Sequence, residues 1–302
     1  VRLRKGAVQT PKHIAFVADL WPDLVKWEDQ GTRLKERAEA KSSAKVWERA
    51  PIAYWDHFLD DREPHLFSIP LAGGETTAIT RGSGYWLSKQ EYSTSSYDIS
   101  PDGTEVAFVA DRDRSGIDPN DDIIVIPACG CKPARNLNAD SIADESNPVY
   151  SPDGRYLAYS QKRTPRFYAD TQRLMLLDRT GGTTRGLTGQ WDRSADGLVW
   201  ASDSKSIYGQ IDDAATSRIY RFALTGGAPR AVTGASSFSG LEVAGKVAIA
   251  LRQSFSEPAA LVRLDLAKGA ITKLSDFNDG ALASLAMGKV ESVTYKGARG
   301  DP

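Results

Sequence analysis

The chain has 302 residues, 38 basic and 39 acidic, for a formal net charge of −1, with two cysteines and three histidines. No basic run is long enough to track a phosphate backbone, which argues against a nucleic-acid partner. No apolar stretch approaches the roughly 18 residues needed to span a bilayer, which argues against a membrane partner. The basic start, Val1-Arg2-Leu3-Arg4-Lys5, is followed by no apolar core, so no signal peptide is visible. The chain also begins without methionine, and a leader or N-terminal region is expected to have preceded it. Composition does not choose between a periplasmic or secreted and a cytoplasmic protein.

The first predicted strand is His13-Ile14-Ala15-Phe16-Val17-Ala18-Asp19. From about 20 to 50 the pattern changes and reads as a helical insertion. Pro22 suits the first turn of a helix, and Thr32 suits the cap of a second one over Arg33–Lys41. Trp21, Trp27, Leu34 and Trp47 are the expected apolar side. Insertions in repeat architectures map to loops and often form the binding face.

Beyond the insertion the chain repeats two phrases. Ser100-Pro101-Asp102-Gly103 returns as Ser151-Pro152-Asp153-Gly154 and, worn, as Ala201-Ser202-Asp203-Ser204, with the aspartates 51 and 50 residues apart (153 − 102; 203 − 153). Each follows a short strand and precedes a longer one, as Tyr97-Asp98-Ile99 precedes and Glu105–Val109 follows the first. Ser and Pro set a type I turn and Gly releases it. The second phrase is a glycine pair, then an apolar residue and a hydroxyl. It runs Gly73-Gly74 to Ile79-Thr80, Gly181-Gly182 to Leu187-Thr188, Gly226-Gly227 to Val232-Thr233, and Lys268-Gly269 to Leu274-Ser275, with a degraded copy from Gly130 to Leu137-Asn138. Apolar strands precede it: His65–Ile69, Ile123–Ile126, Leu174–Leu177, Ile219–Phe222 and Leu261–Leu264. A period of about 40–50 residues carrying four strands is that of a β-propeller. The expected fold is all-β, a propeller of about five to six four-stranded blades over residues 1–289 with the short helical insertion, and 290–302 as a linker.

The chemistry-bearing residues point away from catalysis within this chain. No Gly-x-Ser-x-Gly elbow occurs, and His13, His57 and His65 all precede any position that a Ser, acid, His order would require. No metal and no cofactor are expected. The loop from Asp111 to Asp122 superficially matches a calcium loop, but strands flank it, and Arg112 and Arg114 alternate with its aspartates. Cys129 and Cys131 flank Gly130. A disulfide across one residue is strained, so they read as unpaired thiols in a hairpin.

Several segments resemble a known family. The Ser-Pro-Asp-Gly turns resemble the repeats of TolB-like proteins and of the prolyl oligopeptidase family of serine peptidases. More specifically, Val17–Asp23 with its Trp21-Pro22-Asp23, the charged helical stretch, Tyr54-Trp55-Asp56 through Arg62 and then His65-Leu66-Phe67 resemble the dipeptidyl-peptidase V and acylaminoacyl-peptidase branch. Here Tyr54 stands where that branch carries a histidine. Residues 288–302 resemble the strand by which such enzymes leave the propeller and enter their hydrolase domain. The resemblance implies the substrate-gating propeller of a serine exopeptidase. Its implied partners are an α/β-hydrolase domain of the same protein and short peptides. Glu48, Arg49, Tyr54, Trp55, Asp56 and Arg62 are the candidates for contact with substrate or hydrolase. The alternative is a non-catalytic TolB-like propeller that binds a protein or peptide.

Overall fold

In the computed structural model, residues 12–300 are described apart from 25, 48–51, 60, 91, 115–119 and 143. The chain is all-β, built as successive antiparallel blades. The first blade holds β1 (His13–Leu20), β4 (Glu63–Pro70) and β5 (Thr77–Ala78); between β1 and β4 come α1 (Trp27–Glu39), β2 (Ala53–Tyr54) and β3 (His57–Phe58). The second comprises β6 (Tyr97–Ile99), β7 (Glu105–Ala110), β8 (Asp122–Pro127) and β9 (Arg135–Asn136). The third comprises β10 (Glu145–Tyr150), β11 (Tyr156–Gln161), β12 (Arg173–Asp178) and β13 (Thr183–Gly186). The fourth runs β14 (Val199–Trp200), β15 (Ser206–Asp213), β16 (Thr216–Ala223) and β17 (Arg230–Ala231). The fifth runs β18 (Ser237–Ala244), β19 (Val247–Ser254), β20 (Glu257–Asp265) and β21 (Ile271–Lys273), and is followed by the short helix α2 (Asp279–Leu282).

The buried apolar residues collect between blades. Ala15 and Leu66 of the first blade meet Tyr97, Val106, Phe108 and Ile124 of the second. Ala107, Ile123 and Val125 on the other face of the second blade meet Tyr150, Leu157 and Tyr159 of the third. Leu174 and Leu176 meet Trp200, Ile207 and Phe222. Tyr208 and Ile219 meet Phe238, Ala250, Val262 and Leu264. Strand alternation sends neighbouring residues to opposite faces, so a central strand such as β8 supplies two cores at once. Among the described residues no buried cluster joins the fifth blade to the first.

The repeated phrases have local causes. In the Ser-Pro-Asp-Gly turn, Ser100 Oγ donates to Asp102 Oδ1 (2.6 Å) and accepts from Glu105 N (3.0 Å), while Gly103 N closes the turn on Ser100 O (2.8 Å). Ser151 repeats this with Asp153 and Tyr156. Gly103 has φ 68°, and a Cβ there would lie 2.6 Å from Lys12 N, so left-handed backbone and close approach both require glycine. In the fifth blade the motif is gone because Gly245-Lys246 forms a two-residue hairpin in its place, with Ala244 facing Val247.

The second phrase ends in a clamp. The hydroxyl of Thr80 accepts from Leu66 N (3.0 Å), Thr188 from Leu174 N (3.0 Å), Thr233 from Ile219 N (3.1 Å) and Ser275 from Leu261 N (2.9 Å), each fourteen residues upstream. The hydroxyl thereby holds the strand before the glycine hairpin where the short last strand of the blade runs out.

The two cysteines correct the sequence expectation. Cys129 and Cys131 form a disulfide, because the turn through Gly130 (φ 61°) brings their Cα atoms to 5.2 Å, within bridging range. Of the two loop arginines, Arg114 pairs with Glu63 on β4 at 2.6 Å, while Arg112 acts on Asp122.

One seam carries a buried acid pair. Asp122 on β8 and Glu145 on β10 are both buried and close enough to act on each other's titration. Asp122 Oδ1 and Glu145 Oε2 are buried without a hydrogen-bond donor, which favours the protonated forms. Burial, and then the neighbouring Asp122, push Glu145 up to about 8; burial and the nearby Asp144, Asp111 and Asp122 push Asp121 up to about 7. Native protein therefore holds protons that the unfolded chain has already lost, so these groups lower stability as pH rises from about 4 to about 8, with no further change above. Glu145→Gln, which keeps the oxygen that accepts from Ser141 and Gln161 and supplies an N–H toward Asp122, should raise the urea midpoint at pH 8 and leave it unchanged near pH 4. Thr188→Val, which orphans the buried Leu174 N–H, should lower unfolding free energy by about 1–3 kcal/mol in urea titrations.

Candidate functional site

The insertion is organised around Trp21, which is buried. Its backbone is clasped by Gln30 of α1, whose Oε1 accepts from Trp21 N (2.9 Å) and whose Nε2 donates to Trp21 O (3.2 Å) and Leu24 O (3.1 Å). Its indole Nε1 donates to Asp61 Oδ2 at 3.1 Å. The guanidinium groups of Arg37, Arg33 and Arg62 stand 4.7, 5.4 and 5.4 Å from its ring centroid. Asp23 holds Arg33 through two bonds of 2.9 and 2.7 Å, and Arg37 binds Asp61 in the same forked way. Arg81, just beyond β5, donates to the carbonyls of Pro22 and Leu24, tethering the turn to the blade. Each residue of Trp21-Pro22-Asp23 thus has a partner fixing the insertion.

The helix differs from the sequence expectation. It starts at Trp27, and Thr32 lies inside it with its hydroxyl on Glu28 O (3.2 Å) rather than at its cap. Glu28 and Asp29 in the first turn and Arg37 in the last complement the helix dipole. The expected apolar side is replaced by a polar clasp: Gln30 is the buried residue, and Leu34 is exposed. Trp27 packs edge-on against Phe67, which stacks on Phe16 at 5.3 Å, so α1 covers the face of the first blade turned away from its core.

Tyr54, Trp55 and Asp56 come together on the β2–β3 hairpin, with Trp55 at the turn in left-handed backbone (φ 51°) and 88% exposed. Asp56 Oδ1 reaches His57 Nδ1 at 3.3 Å, and Tyr54 meets both Trp55 and His57 edge-on. The hairpin is braced from below: Leu59 N donates to Ile52 O, Trp47 Nε1 donates to Leu59 O, and the Trp47 ring packs on Phe58. Arg62 lies apart from this tip, over Trp21. Glu48 and Arg49 fall outside the described residues. His65, buried on Thr80 Oγ1 (3.2 Å), and His13, on Gly103 O, serve the blades; burial lowers the His65 pKa.

Strand direction places further features at the same end of the molecule. The Ser-Pro-Asp-Gly and Gly-Gly turns lie at one end of the blades, so second-to-third-strand turns and blade-to-blade connectors lie at the other, together with the insertion. Tyr168 (88% exposed) and Phe255 (83% exposed) occupy such turns in the third and fifth blades. Between the third, fourth and fifth blades, also at this end, opens a cleft of about 750 Å³. Val149, Leu198, Phe238 and Leu241 line it with Asp196, Asp212, Gln210 and Glu242. Asn147 Nδ2 donates to Asp196 Oδ1 (3.0 Å) across it. Arg193 is drawn to the wall by Asp213, whose carboxyl also accepts from Tyr220 OH and Arg218. Tyr220 and then Arg193 hold that carboxyl low, at about 2. Sequence reasoning missed the cleft because its polar residues are scattered through connectors without a shared motif.

No family model matches the chain. The chain is 25% identical over 254 residues to dipeptidyl-peptidase 5 of Porphyromonas gingivalis, covering 81% of this chain and 37% of that protein. It is 30% identical over 219 residues to dipeptidyl-peptidase 5 of Aspergillus oryzae, covering 63% and 30% respectively. It therefore spans about a third of the length of these relatives. Among solved structures, the acylaminoacyl peptidase of Pyrococcus horikoshii matches with a TM-score of 0.62 at 14% identity, covering 91% of this chain and 38% of that one.

Trp21→Ala should release the insertion while leaving the blades folded. Limited proteolysis should then cut within 20–62 much faster than in the parent, and local stability should fall by about 3–5 kcal/mol, read by hydrogen exchange.

Sequence and fold together match this chain to the N-terminal propeller portion of the prolyl oligopeptidase family.

Proposed function

We propose that this propeller gates an exopeptidase. Its insertion-bearing face is presented to an α/β-hydrolase domain of the same protein, and that face admits short peptides of the kind a dipeptidyl- or acylaminoacyl-type peptidase cleaves. The observation that carries the reading is convergence. The β2–β3 hairpin, the cleft of about 750 Å³ and the exit of β21 all lie at one end of the blades. Whatever follows β21 leaves from the face that carries the exposed Trp55, Tyr168 and Phe255. A peptide held there meets apolar side chains that need covering and a cleft rich in carboxylates, which suits an extended chain with a free amino end. Tyr54, Trp55 and Asp56 are the contacts we assign to substrate or hydrolase. Glu48 and Arg49, adjacent in sequence, and Arg62 are retained as candidates for reading peptide charge. Residues 1–289 form the gate and 290–302 the passage to the catalytic part.

Two measurements test this. In the gene product that carries this chain with its catalytic part, Trp55→Ala should raise KM for a chromogenic dipeptidyl substrate about tenfold with little change in kcat, since it removes binding and not chemistry. The 302-residue chain alone should bind short peptides calorimetrically yet release no chromophore. Turnover by the chain alone would refute the assignment of catalysis elsewhere. An unchanged KM in the variant would leave a binding module of the TolB-like kind as the better reading.

A further inference from the structure

The Cys129–Cys131 bridge has no evident structural task. It sits in the turn between β8 and β9, and Cys129, Gly130 and Cys131 are all exposed. The equivalent turns of the other blades, at Gly73-Gly74, Gly181-Gly182, Gly226-Gly227 and Lys268-Gly269, close with no cysteine at all. The bridged turn has the same backbone support that they have: Gly130 N donates to Pro127 O (2.8 Å) and Ala128 N to Thr104 O (2.8 Å). A cross-link stabilises chiefly by restraining the unfolded chain, and the effect grows with the loop it closes. With a sequence separation of 2 this bridge restrains almost nothing. What remains is its chemistry, since a solvent-facing disulfide is open to attack by a thiolate.

We propose that Cys129–Cys131 is a thiol–disulfide exchange site that takes two electrons from a dithiol. A thiolate of the dithiol attacks one Sγ, the bond between the two cysteines breaks, and the departing Sγ takes a proton. The second thiolate of the dithiol then attacks its own sulphur in the mixed disulfide and displaces the remaining cysteine, which is also protonated. The dithiol leaves as a disulfide, and the chain gains two thiols; oxidation by a small disulfide reverses the sequence. The turn also touches the neighbouring blade: a Cβ on Gly130 would stand 3.1 Å from Thr77 Cγ2 and 3.4 Å from Ile79 Cγ2, and Ile79 belongs to the core between the first two blades. The exchange site therefore abuts a seam of the propeller.

Because the chain has two cysteines, alkylation counts this pair alone. Native chain treated with dithiothreitol at neutral pH, quenched with iodoacetamide and weighed intact, should pass from no adducts to two with its far-UV circular dichroism unchanged. The rate should lie within about tenfold of that for chain unfolded in urea, and oxidised glutathione should restore the unreactive form. Reduction only after urea is added, or two adducts before any reductant, would overturn the proposal. The double variant Cys129→Ser/Cys131→Ser should keep the parent's urea midpoint; loss of folding in it would make the bridge a structural staple instead.

Discussion

A blade of short strands cannot bury either of its faces by itself, and this constraint shapes the rest of the molecule. Tyr97, Tyr150, Ile207 and Val262 are buried in clusters that each join their own blade to a neighbouring one. The cohesion of the fold thus lies in the seams. Each seam also carries specific polar links, such as Trp200 Nε1 to Val149 O at 3.0 Å and Tyr150 N to Asp98 Oδ2 at 2.8 Å, which fix how one inner strand stands beside the next. Stability in such an array is close to a sum of nearest-neighbour terms. The buried acids Asp122 and Glu145 are therefore a property of one joint and not of the molecule at large.

The insertion follows a different logic. It has little apolar surface to bury, and it is held by directed bonds: an amide clasp from Gln30, two forked arginine–carboxylate pairs and the tether from Arg81. Trp21 gives these a common centre, because an indole ring offers a face to cations, an edge N–H to a carboxylate and a backbone to the amide. The reward is rigidity in a segment that projects away from the cores, and rigidity there is what a hairpin needs if it is to hold an exposed Trp55 in a fixed place.

Much of this was legible in the sequence where a residue's role is local. The Ser-Pro-Asp-Gly and Gly-Gly phrases marked the turns, and the apolar runs between them fell on β4, β8, β12, β16 and β20. Where partners come from afar the sequence was silent. Thr32 resembles a cap because caps are read from neighbours, but the helix start is set by Gln30 reaching back to Trp21. The cysteine pairing turned on a left-handed glycine, and the cleft on connectors from three blades that share no motif. The threonine clamps stood in plain view within the second phrase. Their purpose shows only when the upstream N–H is placed beside them.

Asn147 within β10, Gly197 just before β14 and Gly240 within β18 mark three successive inner strands, all in left-handed backbone with φ of 54°, 56° and 61°, and all on the wall of the cleft. Two of them accompany breaks in strand register, at β10 and β18. They share no letter pattern that an alignment would score, yet they form a period of their own, written in dihedral angle. The cleft is thus bounded by backbone bent the same way three times, and its outline is inherited from the repeat while its lining is free to differ blade by blade. A duplicated scaffold can in this way give rise to a site without symmetry.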